Sequence, residues 1–355
     1  MSFPFQKTNF SSYLLKWYDA NPRAFPWRLT NDPYKIWLSE IMLQQTQVKT
    51  VIPYYENWLN DLSGPHSVAS ASLDYVLKKW EGLGYYARAR NFHSACKTVI
   101  NLFDGKIPCN YSDFLALPGV GPYVASAVMS IAYSHPIPAI DSNAYRVVSR
   151  IKTISLPFAR CKNDISRFLF GSIPPDRPGD FNQAIMDLGR EICTAKNPAC
   201  DKCPVQKYCA AFVDSAVDKY PFKARRQKRP HYRVAVGVIW KKNKILITKR
   251  PERGLLGGLW EFPGGKIKGG EGAKKCIIRE INEELGVGVQ PTKFLKQISH
   301  TYTHYSITLE AYSCDYVCGR LKTLGCSDWR WIDPKDVSRF PFPAANHKFF
   351  DVLKR

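Results

Sequence analysis

The 355-residue sequence predicts a multi-domain protein with an all-α first half and an α+β second half. Apolar residues follow a helical period up to about residue 212, whereas 233–240 and 244–248 alternate apolar and polar side chains as strands do. A basic, proline-containing segment between them predicts an exposed linker. Because the chain is too long for one ordinary core, we predict a helical domain over 1–212, a linker over 213–230 and a second domain over 231–355.

Each predicted element rests on its own pattern. Asp32 followed by Pro33 indicates a helix start, because Asp caps backbone N–H groups and Pro fits the first turn. Further helical patterns occupy 68–80, 87–103, 112–117, 122–133, 142–151, 181–192, 272–285 and 344–353. Further strand patterns occupy 306–317 and 328–332.

The net charge of +21 favours a polyanionic partner such as nucleic acid. The excess of Lys and Arg is concentrated after residue 218. No apolar run approaches the roughly 20 residues that a membrane span needs. The first residues lack a basic segment followed by an apolar stretch, which favours a cytoplasmic protein, or a nuclear one if the source is eukaryotic.

Four of the eleven cysteines crowd into residues 193–209, which predicts a metal site. These four are Cys193, Cys200, Cys203 and Cys209. Thiolates this close repel one another unless a metal offsets their charge. Both zinc and iron–sulfur clusters accept such ligands, so the spacing alone leaves the two open.

Two further segments suggest chemistry on DNA. Gly119 and Gly121 permit a tight turn with exposed backbone N–H groups, and Pro122 begins a helix whose N-terminus favours a phosphate. An ordinary helix–helix turn is the alternative. Asp141 follows an apolar segment, where it is either a helix cap or a desolvated carboxylate. Such a carboxylate stabilises the cationic sugar that forms when an N-glycosidic bond breaks.

Together, the hairpin and the aspartate resemble the endonuclease III/MutY superfamily of helix-hairpin-helix DNA glycosylases, whose essential Asp lies at this place. The family usually has Asp-Gly-Asn-Val, from which Ser142 and Ala144 depart. The bifunctional branch carries a Schiff-base lysine at the position of Tyr123. Because tyrosine cannot form a Schiff base, the resemblance implies a monofunctional enzyme that uses water.

The segments 24–28 and 37–48 resemble the MutY family in particular. Glu40 is surrounded by apolar neighbours, so it is either an ordinary solvated acid or a desolvated acid with a raised pKa. The resemblance implies that Glu40 protonates adenine at N7 and that Tyr123 and Asn143 support the reacting sugar and Asp141. It implies adenine binding by Trp27, Arg28 and Gln183. It implies DNA contacts by Gln45, Thr46, Leu83 and Tyr85 as well as the two hairpin glycines. Arg88, a basic residue close to Tyr85, would suit a DNA phosphate.

The cysteine spacing resembles the iron–sulfur loop of the same superfamily. The resemblance implies a 4Fe–4S cluster held by the four cysteines of 193–209. We expect the cluster to order a basic loop against DNA and to take no part in the chemistry. The basic residues of that loop are Lys196, Lys202 and Lys207.

Residues 265–287 satisfy every fixed position of the Nudix box, which implies a Nudix-like α/β/α domain. Glu280, Glu283 and Glu284 share one helix face, an unfavourable arrangement unless a cation such as Mg²⁺ lies among them. As a binding module, the domain would recognise 8-oxoguanine. Tyr302, Thr303 and His304 resemble the loop with which MutY proteins recognise 8-oxoguanine. As an enzyme, it would hydrolyse an oxidised nucleoside triphosphate; we favour recognition.

The predicted function is therefore excision, by a monomer, of adenine paired with 8-oxoguanine or guanine in double-stranded DNA. Three alternatives differ in class. The first is a bifunctional pyrimidine glycosylase-lyase, which Tyr123 opposes. The second is a nucleotide pyrophosphohydrolase whose helical half only binds DNA, and the third is a non-catalytic DNA-binding protein.

Overall fold

The computed structural model describes residues 7–223 and 229–353. The first six residues, used above to predict location, and 224–228 of the predicted linker lie outside the described residues. The described chain divides into two compact units, 7–69 with 94–223 and 70–93 with 229–353. Within these ranges, no helix combines the length and the apolar character that crossing a bilayer requires.

The chain up to residue 213 is helical. Its α-helices are α1 (Lys7–Ala20), α2 (Pro33–Leu43), α3 (Val48–Asp61), α4 (Pro65–Ser70), α5 (Leu73–Lys79), α6 (Ala87–Phe103), α7 (Tyr111–Leu115), α8 (Pro122–Tyr133), α9 (Ser142–Ile151), α10 (Phe158–Phe170), α11 (Pro178–Glu191) and α12 (Ala210–Val213). One core of the first unit joins α1, α9, α10 and α11 through side chains such as Phe10, Val148 and Phe181. The site described below lies on these helices and on α2 and α8.

Local signals fix several helix ends. Asp32 caps α2 as predicted, since its Oδ1 accepts from the N–H groups of Tyr34 and Lys35. Gly119 has a φ of 77° in the hairpin, where a side chain would be strained. The predicted helix 68–80 is two helices, α4 and α5, because Ser72 caps a new start by accepting from the N–H of Tyr75.

The first part of the predicted linker packs with the helical unit. Residues 213–223 belong to the first unit, and a short 3₁₀ helix covers Val217–Lys219. Arg150, which is buried, donates from Nε to the carbonyl oxygen of Tyr220 at 3.1 Å. This hydrogen bond attaches the chain at Tyr220 to the helical unit.

The second unit contains one mixed sheet. Its strands are β1 (His231–Lys241), β2 (Lys244–Lys249), β3 (Trp260–Glu261), β4 (Gly264–Lys266), β5 (Val287–Thr301), β6 (Ser306–Gly319) and β7 (Asp328–Ile332). β1 pairs in parallel with β6 and antiparallel with β2 and β4. β5 pairs with β6, and β2 pairs with β3 and β7, all antiparallel.

Helices cover both faces of this sheet. Alternate residues of β1 point to opposite faces, so Val238 contributes to one core and Ile239 to the other. The face of Ile239 packs on α13 (Ala273–Leu285). The opposite face packs on α14 (Ala344–His347) and on a 3₁₀ helix over Phe350–Leu353. The single helix predicted over 344–353 is thus two short ones.

Segment 70–93 packs with the sheet rather than with the other helices. Trp260 donates from Nε1 to Asp74 Oδ2 at 3.1 Å, and Arg90 donates to the carbonyl oxygen of Gly257 at 2.7 Å. The sequence boundaries assigned this segment to the helical domain because it lies before residue 212. In the structure, these polar contacts join segment 70–93 to residues after 229.

Candidate active site

The first unit contains a cavity of about 990 Å³ that brings together the two predicted catalytic acids. Glu40 on α2 and Asp141 at the start of α9 both line it, as do Tyr123 on α8 and Gln183 on α11. The helices that converge here are distant in sequence, so only the fold makes one site of them. The shared cavity is what an acid pair flanking one nucleotide requires.

Glu40 is a buried acid, with 6% of its surface exposed. Tyr123 Oη donates a hydrogen bond to Glu40 Oε2 at 2.6 Å, which leaves Oε1 as the oxygen that can deliver a proton. Burial raises the pKa of Glu40 and the nearby Asp141 adds to the rise, whereas the Tyr123 hydrogen bond and Arg28 oppose it. The net effect favours the protonated acid.

Asp141 caps α9 and also lines the cavity, so the helix cap and the predicted catalytic carboxylate are the same group. Its Oδ1 accepts from the N–H of Ala144 at 2.7 Å, and its Oδ2 accepts from Asn143 Nδ2 at 2.6 Å. Burial raises the pKa of Asp141, while these hydrogen bonds lower it. The bonds orient the carboxylate and stabilise its charged form within an apolar wall.

Arg146 links this acid to the cysteine segment, a role that the sequence reasoning missed. It donates from Nη2 to Asn143 Oδ1 at 2.7 Å and from Nε to the carbonyl oxygen of Cys193 at 2.8 Å. A Cβ on Gly189 would lie 2.5 Å from the Cβ of Asn143, so glycine permits α11 to approach α9 here. The i, i+3 spacing of Asn143 and Arg146 on one helix was the available signal.

The predicted adenine-binding residues form part of the cavity wall. Trp27 and Gln183 are mostly buried, and Trp27 stacks on Phe25 with ring centroids 5.5 Å apart. Arg28 donates to Tyr18 Oη at 2.7 Å and pairs with Asp187 Oδ1 at 3.3 Å. Sequence reasoning missed Asp187, a buried carboxylate that fixes the direction of the Arg28 guanidinium.

The predicted DNA contacts in the first unit lie at the cavity and at the hairpin. Gln45 and Thr46 line the cavity, and Gln45 has a positive φ of 58°. Gly121 is the N-cap of α8, and a Cβ there would meet nothing within 4 Å. The tight turn therefore depends on Gly119, while Gly121 leaves open space beside the helix N-terminus.

The loop between α5 and α6 holds Leu83, which is buried, and Tyr85. Arg88 donates from Nη2 to the carbonyl oxygens of Leu83 and Gly84, both at 3.1 Å. Its guanidinium lies over the Trp80 ring, and burial lowers the pKa of Arg88 to about 10. Arg88 therefore supports the backbone of this loop, and its predicted contact with a DNA phosphate stays a prediction.

The predicted 8-oxoguanine-reading residues form the turn of the hairpin that joins β5 to β6. The N–H of Tyr302 donates to the carbonyl oxygen of Tyr305 at 2.8 Å, and the two rings stack at 4.7 Å. Thr303 Oγ1 accepts from Tyr85 Oη at 2.6 Å, and the His304 ring lies 6.5 Å from the Tyr85 ring. The turn and the loop of Tyr85 therefore meet within the second unit.

The Nudix-box glutamates do not act as three equivalent groups. Arg279 pairs with Glu280 at 2.7 Å and with Glu283 at 3.3 Å, and the side chain of Glu283 is 54% exposed. Burial and neighbouring carboxylates raise the pKa of Glu284 to about 7. A Cβ on Gly265 would lie 2.3 Å from the Glu280 carboxyl carbon, so glycine makes room for that carboxylate.

The four cysteines line one cavity together with Arg150, which donates from Nη1 to Cys193 Sγ at 3.2 Å. Over the described ranges, no group of three or more His, Cys, Asp or Glu is arranged to hold a single metal ion. A zinc ion would need its four sulfur atoms about 3.8 Å apart, given Zn–S bonds of about 2.3 Å. Four thiols that line one cavity beside the buried Arg150 suit a thiolate-bound metal centre, either zinc or an iron–sulfur cluster.

Replacing Cys203 by Ser is expected to remove most of the bound iron and sulfide and to destabilise segment 193–213. The thiol lies inside the cavity of the four cysteines, and metal binding is coupled to the folding of such loops. Iron and sulfide content with visible absorption checks this. Cys109→Ser is the control because that thiol is exposed; equal iron in both variants would remove Cys203 from the ligand set.

Three parts of the chain match known protein families. Residues 38–157 match the HhH-GPD superfamily of base excision DNA repair proteins. Residues 193–209 match the iron–sulfur binding domain of endonuclease III, and residues 235–352 match the NUDIX domain. The fold and the site thus define a base-excision DNA glycosylase with an iron–sulfur segment and a C-terminal NUDIX domain, which confirms the predicted fold class.

Relatives narrow the class further. The adenine DNA glycosylase of Rattus norvegicus is 33% identical over 98% of this chain and 78% of its own length. The adenine DNA glycosylase of Buchnera aphidicola subsp. Schizaphis graminum is 35% identical over 97% of this chain and 99% of its own length. The structure of a thermostable thymine-DNA glycosylase, 28% identical, covers 59% of this chain and 97% of its own with a TM-score of 0.55. The chain belongs to the adenine DNA glycosylase family, enzymes of base-excision repair that remove adenine from DNA.

Proposed function

We propose that the protein removes adenine paired with 8-oxoguanine, and with guanine, from double-stranded DNA by hydrolysis without strand cleavage. The observation that carries this proposal is that the buried Glu40 and the half-buried Tyr123 and Asp141 line one cavity. We propose that it acts as a monomer on chromosomal DNA, in the cytoplasm of a bacterium or the nucleus of a eukaryote.

The proposed reaction begins with the adenine nucleotide turned out of the duplex, because its glycosidic bond is inaccessible inside the stack. The cavity of about 990 Å³ is large enough for a nucleoside, and Trp27, Arg28 and Gln183 line it. Adenine leaves poorly as an anion. Glu40 therefore donates a proton to N7 from Oε1 while Tyr123 holds Oε2.

The bond between C1′ of the sugar and N9 of adenine then breaks, and its electron pair leaves with the protonated base. Positive charge develops on the sugar, and the Asp141 carboxylate stabilises it from a position fixed by Ala144 and Asn143. Water adds at C1′ and loses a proton to the carboxylate that Glu40 has become. The products are adenine and an abasic site.

The side chain at position 123 separates this proposal from a lyase. Tyr123 has no amine, and its hydroxyl is already engaged by Glu40, so no Schiff base with the abasic sugar is expected. The test is a single-turnover assay of adenine release from a duplex with one A:8-oxoguanine pair, with borohydride added in parallel. Adenine release without a trapped protein–DNA adduct supports the proposal, and a trapped adduct contradicts it.

The cysteine segment is proposed to hold a 4Fe–4S cluster through Cys193, Cys200, Cys203 and Cys209. When bound, the cluster supplies a rigid cross-link between α11 and α12. We propose that the loop it orders faces DNA with Lys196 and Lys202. Lys207, the third basic residue of that loop, lies with its ammonium 3.6 Å from the Tyr13 ring centroid.

The second unit is proposed to read the lesion on the opposite strand through the turn Tyr302–Tyr305. Thr303 and His304 lie at the tip of the β5–β6 hairpin, where backbone hydrogen bonds fix the turn. A hydroxyl and an imidazole can contact the N7–H and O8 that distinguish 8-oxoguanine from guanine. The tip residues would therefore supply specificity and not chemistry.

The double substitution Thr303→Ala with His304→Ala is expected to lower the preference for A:8-oxoguanine over A:G by about thirtyfold. Each side chain supplies polar contacts worth about 1 kcal/mol. The ratio of excision rates on the two duplexes, at limiting enzyme, measures the preference. Thr292→Ala, at another exposed position of β5, is the control; an unchanged ratio in the double variant would show that the turn does not read the lesion.

Pyrophosphohydrolysis by the second unit is a second candidate, favoured by Glu280 beside Gly265 and by Glu284, which accepts from the backbone of Gly264. These carboxylates are the ligands that Mg²⁺ prefers, and Glu283 would join them only by leaving Arg279. Pyrophosphate release from 8-oxo-dGTP that persists in Asp141→Asn but is lost in Glu284→Gln would establish this activity. Absence of release from the unsubstituted protein with Mg²⁺ would exclude it.

A further inference from the structure

The loop that carries Leu83 and Tyr85 has an unusual backbone. Gly82, Gly84 and Tyr85 have positive φ angles of 102°, 70° and 49°. Two glycines make this path possible, but they also make the unfolded loop flexible, since glycine restricts the backbone least. A defined loop conformation therefore needs contacts that hold it.

The contacts at the base of the loop converge on Glu81. Its Oε1 accepts from the N–H of Phe342 at 2.8 Å and from His347 Nε2 at 2.9 Å. Its Oε2 pairs with Lys78, which also donates to the carbonyl oxygen of Phe340 at 3.4 Å. Glu81 has only 16% of its side chain exposed, so these are charge-assisted bonds shielded from water.

The contact at the tip of the loop is with the β5–β6 turn. Tyr85 Oη donates to Thr303 Oγ1, and the Tyr85 and His304 rings approach edge to face. The loop is thus attached to the rest of the second unit at two points. Glu81 joins it to the segment 340–347, and Tyr85 joins it to the turn 302–305. Both attachments lie within the second unit.

We propose that Glu81 is a positioning residue for lesion specificity, which fixes the loop 82–86 on the C-terminal domain so that loop and turn meet DNA as one preformed element. The inference rests on the proposed reading of 8-oxoguanine by the turn. Its physical basis is preorganisation: a loop already held in place loses less conformational entropy when it binds. Glu81 therefore contributes to affinity for the lesion pair without touching DNA.

Glu81→Ala is expected to lower the preference for A:8-oxoguanine over A:G by about tenfold, the cost of one lost charge-assisted anchor. The effect is expected in the apparent affinity for the A:8-oxoguanine duplex more than in the excision rate constant, because Glu40 and Asp141 keep their surroundings. Glu81→Gln keeps an acceptor for the N–H of Phe342 and is expected to recover part of the preference.

A second readout does not depend on the substrate. In Glu81→Ala without DNA, backbone amides of 82–86 are expected to exchange hydrogen about tenfold faster, while those of β1 and β2 stay unchanged. Glu310→Ala is the matched control, since it removes a 2.7 Å ion pair with Arg233 elsewhere in the same unit. If Glu81→Ala destabilises the whole unit, His347→Ala removes one anchor from the opposite side and is expected to act in the same direction.

The outcomes separate the inference from the proposed function. Faster exchange in 82–86 with a reduced preference supports the inference. Unchanged exchange, or a full preference retained in both Glu81→Ala and His347→Ala, overturns it and leaves the reading function standing. If the unsubstituted protein does not prefer A:8-oxoguanine, the proposed reading and this inference both fail.

Discussion

Asp141→Asn is expected to slow adenine excision roughly a thousandfold, the loss typical of removing a preorganised electrostatic contact from a developing charge. The amide has no charge to stabilise the cationic sugar. The fold is expected to persist, because Asn caps a helix about as well as Asp and its Oδ1 can accept from the N–H of Ala144. Single-turnover rate constants at saturating enzyme, with DNA affinity measured separately, test this.

Asp164→Asn is the matched control, since Asp164 is an exposed aspartate on the neighbouring helix α10 that pairs with Arg167. Its excision rate is expected to equal that of the unsubstituted protein. Duplex affinity of Asp141→Asn is expected to stay within about threefold, since the substitution removes a carboxylate and no phosphate contact. A rate within tenfold of normal would show that Asp141 serves only as a helix cap.

Hydrogen bonds connect the cysteine segment to Asp141. Asn143 orients Asp141, Arg146 orients Asn143, and Arg146 also binds the backbone of Cys193. Each of these bonds is part-buried and no longer than 2.8 Å. We propose that a cluster held at Cys193 would support the site through them while holding no reacting atom.

Much of the fold followed from local patterns, and the failures have physical reasons. Strand β7 and helix α13 were predicted within one residue, because turns bound them and their periodicity is regular. Strand β5 was missed because bulges near Val289 and between Pro291 and Phe294 interrupt its alternation. The attachment of segment 70–93 to the sheet was missed because it depends on contacts such as Glu81 with Phe342, far apart in sequence.

The candidate site, like the fold, was predicted only in part. Glu40, Asp141 and Tyr123 were predicted from motifs, and the structure places them in one cavity. Their supporting residues were not predicted. Asp187 acts by a direction and distance that spacing does not encode, whereas the i, i+3 spacing of Arg146 from Asn143 was a signal left unused. Arg88 was predicted to contact DNA, and its hydrogen bonds from Nη2 to two loop carbonyls were not foreseen.

Glu40→Gln is expected to slow excision by roughly a hundredfold to ten-thousandfold, the range for loss of a positioned general acid. The amide still accepts the hydrogen bond from Tyr123, so the wall of the cavity is kept while the proton donor is lost. The pH dependence gives a sharper test. Because the pKa of Glu40 is raised, the protonated form persists to higher pH than for an ordinary glutamate.

The unsubstituted enzyme is therefore expected to lose excision rate as the pH rises through the pKa of Glu40, and to lose it at low pH when Asp141 takes up a proton. In Glu40→Gln the residual rate keeps the acidic limb and lacks the alkaline one. Glu56→Gln, an exposed acid on α3, controls for loss of a negative charge and is expected to keep both limbs. An alkaline limb that survives in Glu40→Gln would mean that another group, with Tyr123 the first to examine, delivers the proton to adenine.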